Sequence, residues 1–179
     1  PYLLPTVTVA LSWRMMLSVN YGIVNQFLTS LGLPVFNWFM DTRTAFGTIL
    51  VIDVWQNAPF VFLLLYAALQ SVPEELYEAA RIDGAGALQQ FRFVTYPHLR
   101  TSIALCALMR SIDTFRLFEK VNILTGGGPA GTTSTITQFL YTYGISNLKF
   151  GFGSAGAVVM TILVLLLSSI YIKRAMNNK

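Results

Sequence analysis

The sequence predicts an all-α protein that is embedded in a membrane, and composition and long apolar runs carry that prediction. Hydrophobic residues make up 54% of the 179 residues and charged residues only 11%, against about 25% charged residues in an ordinary soluble domain. The mean hydropathy of +0.58 points the same way. So few charges could not cover the surface of a soluble protein, and the membrane class therefore follows before any motif is considered.

Four apolar segments are predicted to cross the membrane as helices: residues 3–19, 45–69, 101–118 and 152–172. The first carries Arg14 near one end, as a span does where it meets the interface. The second is interrupted only by Asp53 and by the polar pair Gln56 and Asn57. The last has no charge, and its roughly 21 residues at about 1.5 Å each match a hydrocarbon core of about 30 Å.

The third segment is the unusual one, because Arg110, Asp113 and Arg116 lie inside it. Steps of three residues place these groups along one side of a helix, where Asp113 can pair with either arginine. Charges inside a span should face the bundle interior or a water-filled path. Two interpretations stay open: a structural ladder of ion pairs, or a solute path lined by these residues together with Asn57. A soluble amphipathic helix is the alternative to a span here.

The distribution of basic residues predicts the orientation. Six lie in the loop of residues 70–100 and in the C-terminal tail: Arg81, Arg92, Arg100, Lys173, Arg174 and Lys179. Three lie in the two opposite loops: Arg43, Lys120 and Lys149. The positive-inside bias makes the first set cytoplasmic, with both ends of the chain on that side. Because the chain opens at Pro1 without a methionine or a signal-peptide pattern, we expect an upstream part to precede it.

The predicted outer loops have structure of their own. Residues 21–31 have apolar positions at helical spacing and are expected to lie along the outer interface. The run from Thr125 to Pro129 contains three glycines and must be a turn, but no Gly-Lys-Ser/Thr follows it, which argues against a phosphate loop. Residues 132–134 are predicted to cap a short helix that ends near Tyr143.

Small residues open the last predicted span, and they should let a neighbouring helix approach closely. They are Gly151, Gly153, Ala155, Gly156 and Ala157. Cys106 is the only cysteine, so no intrachain disulfide can form. The 12 basic and 8 acidic residues are dispersed, which gives nucleic-acid binding no support, and no cluster of metal ligands is predicted.

The predicted cytoplasmic loop of residues 71–100 reads as a compact helix–turn–helix between two spans. Ser71 and Glu74 have capping-box spacing, and Pro73 fits the first helical turn. Gly84 can end the helix in a left-handed conformation. A second short helix is expected to follow, and Pro97 is expected to begin the next span.

This loop resembles the cytoplasmic Glu-Ala-Ala ("EAA") coupling loop of ABC-importer permeases. The matching residues are Glu78, Ala79, Ala80, Asp83, Gly84, Ala85, Phe91 and Pro97. Tyr96 stands where that family usually has leucine, which puts one packing contact in question. The runs 20–25, 60–70 and 124–129, together with Trp13, also resemble the carbohydrate branch, which includes maltose and glycerol-3-phosphate permeases.

The resemblance implies a type I ABC-importer permease bundle, with residues 1–179 forming one transmembrane permease domain that has four spans here and six in the full chain. It implies the bacterial cytoplasmic membrane, alternating access, a sister permease, two ATPase subunits and an extracytoplasmic solute-binding protein. The matched loop residues would contact the ATPase, and the turn of Gly126, Gly127, Gly128 and Pro129 would face the binding protein.

The chain itself is not expected to be an enzyme. It contains no Gly-x-x-x-x-Gly-Lys-Ser/Thr run, so ATP and Mg²⁺ would be bound by the partner ATPase and no cofactor by this chain. A sugar is the first candidate solute, and glycerol phosphate or a polyol is the alternative. From another class, an ion-coupled secondary transporter could use the acids Asp53 and Asp113, but it gives no reason for the coupling loop.

Overall fold

The computed structural model describes residues 1–176, without the side chains of residue 172 and residues 174–176. Lys179, one of the charges used for the orientation, lies outside the described residues, as does the side chain of Arg174. The elements in the described range are all helical, which confirms the all-α prediction: α1 (Thr6–Met16), α2 (Ile23–Ser30), α3 (Ala45–Gln70), α4 (Glu74–Ile82), α5 (Ala87–Gln90), α6 (Tyr96–Phe115), α7 (Glu119–Leu124), α8 (Ile136–Leu140), α9 (Phe150–Met176), and π-helical segments at Phe91–Thr95 and Tyr141–Ser146.

Two of these helices are long and apolar enough to cross a membrane. They are α3, with 26 residues, and the 22 residues Phe150–Tyr171 of α9. Large apolar side chains on both helices are exposed, including Val54 at 64% and Leu165 at 63%. Such surfaces are those of a protein whose solvent is lipid, or of a subunit covered by other chains.

The other two predicted spans differ from the expectation. Helix α1 has only 11 residues, which is about 16 Å and half of a hydrocarbon core. It begins beside the middle of α3, where Gln56 Nε2 donates to the carbonyl oxygen of Leu4 at 3.1 Å. Helix α6 has 20 residues and the required length, but it carries Arg110 and Asp113. A crossing of the membrane by α1 and α6 remains a prediction.

Helix α6 begins at Tyr96 with Pro97 in its first turn, one residue from the predicted start, but no break separates it from the preceding segment. Helix α5, the π segment Phe91–Thr95 and α6 follow one another without a break, so Pro97 lies within a continuous helical stretch. A proline there has no N–H to donate and crowds the carbonyl four residues earlier. The π segment directly before it widens the backbone at that point, which explains why the helix continues.

The core lies at the predicted outer end of the bundle. Val9 of α1, Ile49 and Ile52 of α3, and Val121 of α7 are at most 2% exposed and form one cluster. Trp13 packs edge-on against Trp55, with ring centroids 5.4 Å apart. Burial of these side chains removes apolar surface from solvent and joins three helices that are far apart in sequence.

One buried amide organises the loop between α1 and α3. The side chain of Asn25, 2% exposed, donates to the carbonyl oxygens of Phe36 at 3.0 Å and Ser18 at 3.3 Å. Its Oδ1 accepts from the N–H of Phe36 and from Trp38 Nε1, both at 3.2 Å. Because all hydrogen-bonding groups of this amide are paired, its burial carries no desolvation penalty from an unpaired group.

Close approach at the start of α9 confirms the interpretation of the small residues. A Cβ added to Gly144 would lie 2.7 Å from the Cα of Gly153, and one added to Gly153 would lie 2.9 Å from the Cα of Gly144. Such distances leave no room for any side chain larger than hydrogen. The π segment Tyr141–Ser146 therefore packs backbone to backbone against α9.

The cap of the short outer helix is one residue later than predicted. Thr135, rather than residues 132–134, precedes α8, and its side chain accepts from the N–H of Gln138. The hydroxyl groups of Thr132 and Thr133 instead donate to the carbonyl oxygens of Pro129 and Gly128. They close the glycine-rich turn and are not available as caps.

Candidate functional site

Two regions hold the residues singled out in the sequence: the coupling loop of residues 71–100 and a charged cavity between α3, α6 and α7. In the loop, α4 ends at Ile82 and Gly84 follows with a φ of +76°. This is the left-handed conformation predicted for a glycine at a helix end. Helix α5 then starts at Ala87, so the loop is a helix–turn–helix as expected.

The predicted capping box of α4 is absent. Ser71 Oγ donates back to the carbonyl oxygen of Ala68 at 2.7 Å and so is not available to the N-terminus of α4. Pro73 is the N-cap residue, with φ −60° and ψ 136°, and no side chain caps the helix. Glu74 and Glu75 lie in the first turn, where their charges suit the positive end of the helix dipole.

Three hydrogen bonds fix the shape of the loop. The hydroxyl groups of Tyr77 and Thr95 lie 2.9 Å apart and tie α4 to the π segment. Gln89 Oε1 accepts from the N–H of Gly86 at 2.9 Å, and Gln90 Nε2 donates to the carbonyl oxygen of Ala85 at 2.8 Å. The first of these bonds ties α4 to the π segment, and the other two fix the start of α5.

The loop exposes most of its side chains, including large apolar ones. No residue of α4 is buried, and Ile82 is 86% exposed, Leu88 80% and Phe91 55%. The predicted contact residues are exposed with the exception of Ala80 and Ala85, which are half-buried. A surface that combines large exposed apolar side chains with small residues and an acid is suited to bind a protein partner.

Asp53 is the centre of the charged cavity. Its Oδ2 accepts from Arg110 Nη2 of α6 at 3.1 Å, and its Oδ1 forms an ion pair with Lys120 Nζ of α7. Asn57, one turn along α3, donates from Nδ2 to the same Oδ1 at 3.0 Å and to the backbone oxygen of Asp53 at 2.8 Å. One carboxylate thus connects three helices.

The three charged residues of the unusual segment do not behave alike. Arg110 Nη1 pairs with Asp113 Oδ2 at 3.1 Å, as one of the two predicted pairings requires. Arg116 makes no ion pair among the described side chains, because α6 ends at Phe115 and Arg116 is its C-cap residue with a non-helical ψ of 10°. The predicted segment of residues 101–118 therefore runs three residues past the end of α6. Arg116 takes no part in an ion-pair ladder among the described side chains, whereas Arg110 pairs both with Asp113 and with Asp53 of the neighbouring α3.

The charged groups line a cavity of about 330 Å³. All four residues named for a solute path border it: Asn57, Arg110, Asp113 and Arg116. Thr6, Asn57 and Lys120 also border a second cavity of about 460 Å³, which Tyr2 and Gln56 line as well. Gln56 Oε1 is buried without a hydrogen-bond partner in the described part of the chain.

Sequence reasoning missed the position of Lys120 in this site. It was counted as an outer-loop charge, yet its side chain is only 3% exposed. No sequence signal locates it, because the contact joins residues 67 positions apart. Asp53 and Asn57, in contrast, are spaced by four residues, so a shared helix face could have been predicted.

The glycine-rich segment is a turn, as predicted, although few of its residues are exposed to solvent. Gly126 and Gly127 have positive φ values of 64° and 90°. Gly126 is exposed, whereas Gly128 and Pro129 are half-buried and Gly127 is buried against Gln138 and Ser134. Gly127 therefore cannot present a contact surface, and a binding-protein contact of the other three remains a prediction.

Comparison with known proteins supplies the identity of the fold. Residues 1–176 match the family described as "binding-protein-dependent transport system inner membrane component". The chain is 39% identical over 174 residues to the trehalose/maltose transport system permease protein of Thermococcus litoralis, covering 97% of the chain and 58% of that protein. It is 35% identical over 173 residues to the sulfoquinovosyl glycerol transport system permease protein of Agrobacterium fabrum, covering 97% and 56%.

A solved structure shares the fold. A chain of a bacterial ABC transporter involved in the import of the acidic polysaccharide alginate superposes with a TM-score of 0.89 at 23% identity. The match covers 99% of the present chain and 62% of that one. The chain therefore spans somewhat over half the length of the relatives that it matches.

Proposed function

The chain belongs to the family of binding-protein-dependent transport system inner membrane components, and on that basis we propose that it is a transmembrane subunit of an ATP-driven importer for a sugar or a similar polar solute. It would work with a sister permease, two ATPase subunits and an extracytoplasmic solute-binding protein. The relatives named for trehalose and maltose and for sulfoquinovosyl glycerol support a sugar-like solute. A glycerol phosphate or a polyol is the alternative.

The observation that carries this proposal is the open surface of the coupling loop. Ile82 is 86% exposed and no residue of α4 is buried, so this surface has no packing partner in the described part of the chain and suits another subunit. Docked on an ATPase subunit, the loop would transmit closure of the ATPase pair through the continuous stretch from α5 to α6. ATP and Mg²⁺ would be bound by that partner, since the sequence lacks a phosphate-binding Gly-Lys-Ser/Thr loop.

Transport would follow alternating access between inward- and outward-facing states. ATP and the loaded binding protein must each favour one of these states, because a ligand with equal affinity for both shifts nothing. The cavity around Asp53 and Asn57 is the proposed solute path, and its hydrogen-bonding groups suit solute hydroxyls. The ion pairs of Asp53 would at the same time hold α3, α6 and α7 together.

The coupling loop is expected to lie in the cytoplasm. In a Cys106→Ser background, a thiol at position 89 should react with a membrane-impermeant reagent only from the cytoplasmic side, and a thiol at position 134 only from outside. Both Gln89 and Ser134 are exposed, whereas Thr133 at 2% exposure is unsuitable for labelling. Labelling of intact cells and of inverted vesicles measures this, and the reverse pattern would contradict the orientation and the coupling role together.

Charge reversal at Glu78 should release the ATPase. Glu78 is exposed on α4 and forms no ion pair among the described residues, so its carboxylate is free to meet a partner. Glu78→Lys is expected to reduce co-purification of the ATPase subunit about tenfold or more, as loss of a buried interface charge pair does. Asp41→Lys makes the same charge change at the far end of α3 and should retain the ATPase; equal retention in both variants would refute the docking surface.

A further inference from the structure

The ionisable groups that line the charged cavity are balanced in number. Three are basic and three acidic: Asp53, Arg110, Asp113, Arg116, Glu119 and Lys120. Their formal charges cancel, so the cavity as a whole carries no net charge. A balanced cavity gives no Coulombic preference to an anionic or a cationic solute.

Among the three acids Asp53 is the one most shielded from solvent, so its charge is screened least. It is 17% exposed, and the two cations that it binds are also shielded, Lys120 at 3% and Arg110 at 20%. Asp113, the second acid on Arg110, is 54% exposed and open to solvent screening. Lys120 has no acidic partner besides Asp53 among the described residues. Without the Asp53 carboxylate, a buried ammonium group would face the cavity unneutralised.

We propose that Asp53 is a specificity-determining residue: by pairing with Arg110 and Lys120 it cancels one of their two charges, while Asp113 pairs with Arg110, and it thereby keeps the cavity selective for uncharged, hydroxyl-rich solutes and closed to anions. Two uncharged groups that border the cavity, Asn57 Oδ1 and Thr6 Oγ1, form no hydrogen bond among the described residues and remain to meet solute hydroxyls. This inference rests on the proposed function, because it takes the cavity to lie in the solute path. Within that function it selects an uncharged sugar or polyol over glycerol phosphate, which is an anion.

The charge of the cavity can be measured without knowledge of the solute. Thr6 borders both cavities, so Thr6→Cys in a Cys106→Ala background places a single thiol there. The assembled importer is then labelled with an anionic and a cationic methanethiosulfonate of similar size, and the ratio of the two rates is compared with that of a free thiol. Inorganic phosphate serves as an anionic probe that protects the thiol if it binds.

In the Thr6→Cys protein with no other change in the cavity, the ratio of anionic to cationic labelling rates should lie within about threefold of the value for a free thiol. One uncompensated positive charge a few ångströms away should raise the ratio of anionic to cationic labelling about tenfold in Asp53→Asn. Phosphate should protect the thiol in that variant alone. Adding Lys120→Met to Asp53→Asn restores the balance and should return the ratio to its starting value. An unchanged ratio in Asp53→Asn would overturn the proposal.

Loss of a partner from a shielded ion pair can prevent assembly of the importer. A second variant is therefore used that changes the charge of the cavity in the opposite direction. Lys120→Met leaves Asp53 with Arg110 alone and should lower the ratio about tenfold; a ratio that does not fall overturns the proposal equally. ATP-dependent uptake by the complete importer is measured in parallel. Absence of uptake in the unmodified complex contradicts the proposed function, whereas normal uptake with an unaltered labelling ratio in the variants contradicts only the role of Asp53.

Discussion

Gly84→Val is expected to abolish ATP-driven uptake while the subunit still inserts into the membrane and assembles with its sister permease. Gly84 has a φ of +76°, a conformation that a β-branched residue adopts only with strain of about 2 kcal/mol or more. Relief of that strain would turn the chain direction between α4 and α5. The exposed side chains of Ile82 and Leu88, which belong to the two helices flanking the turn, would then change position relative to each other.

Gly86→Val provides the matched control for this prediction. Gly86 has an ordinary φ of −69°, and a Cβ there would meet only Gln89 Oε1 at 3.9 Å. The same side chain two residues away therefore fits without strain. Uptake in proteoliposomes and retention of the ATPase subunit are measured for both. Equal uptake by the two variants, or loss of membrane insertion by Gly84→Val, would show that the turn is not what couples the loop to transport.

The helix–turn–helix shape of residues 71–100 could be predicted from sequence because its determinants are local. Pro73 and Gly84 mark the ends of α4 within about ten residues, and the spacing from Glu78 to Gly84 is short enough to identify a family resemblance. One local error, the capping box at Ser71, arose because a serine hydroxyl between two helices can either accept from an N–H of the following helix or donate to a carbonyl oxygen of the preceding one. Its hydroxyl bonds to Ala68, which belongs to the helix that ends there.

The charged cavity could not be predicted in the same way. Asp53, Arg110 and Lys120 lie on three helices, and the pairs Asp53–Arg110 and Asp53–Lys120 are 57 and 67 residues apart. Which arginine meets Asp113 depended on where α6 ends, and helix ends are the least reliable part of a pattern-based prediction. The short length of α1 was missed for a related reason: apolar residues continue past Met16, although the helix does not.

Replacing Gly153 by leucine is expected to have the second large effect, on folding of the subunit and not on coupling. A Cβ at Gly153 would lie 2.9 Å from the Cα of Gly144 and 3.6 Å from its carbonyl carbon. Those atoms are backbone and cannot rotate away, so α9 and the π segment Tyr141–Ser146 would have to separate. Overpacking of this kind costs about 1–3 kcal/mol or more, and the contact loss along α8 adds to it.

Gly151→Leu tests whether the effect comes from contact or from leucine itself. Gly151 lies in the first turn of the same helix, and a Cβ there meets nothing within 4 Å. In detergent, the midpoint of thermal unfolding of Gly153→Leu should fall by several degrees, with reduced yield of the folded subunit. Gly151→Leu should unfold at a temperature no lower than that of the unmodified chain, because leucine has a better helix propensity than glycine by about 0.5–1 kcal/mol. If both variants unfold at the original temperature, the backbone contact between Gly144 and Gly153 does not hold α9 in place. If both fall equally, the cost lies in leucine at the start of α9, not in the approach of the two backbones.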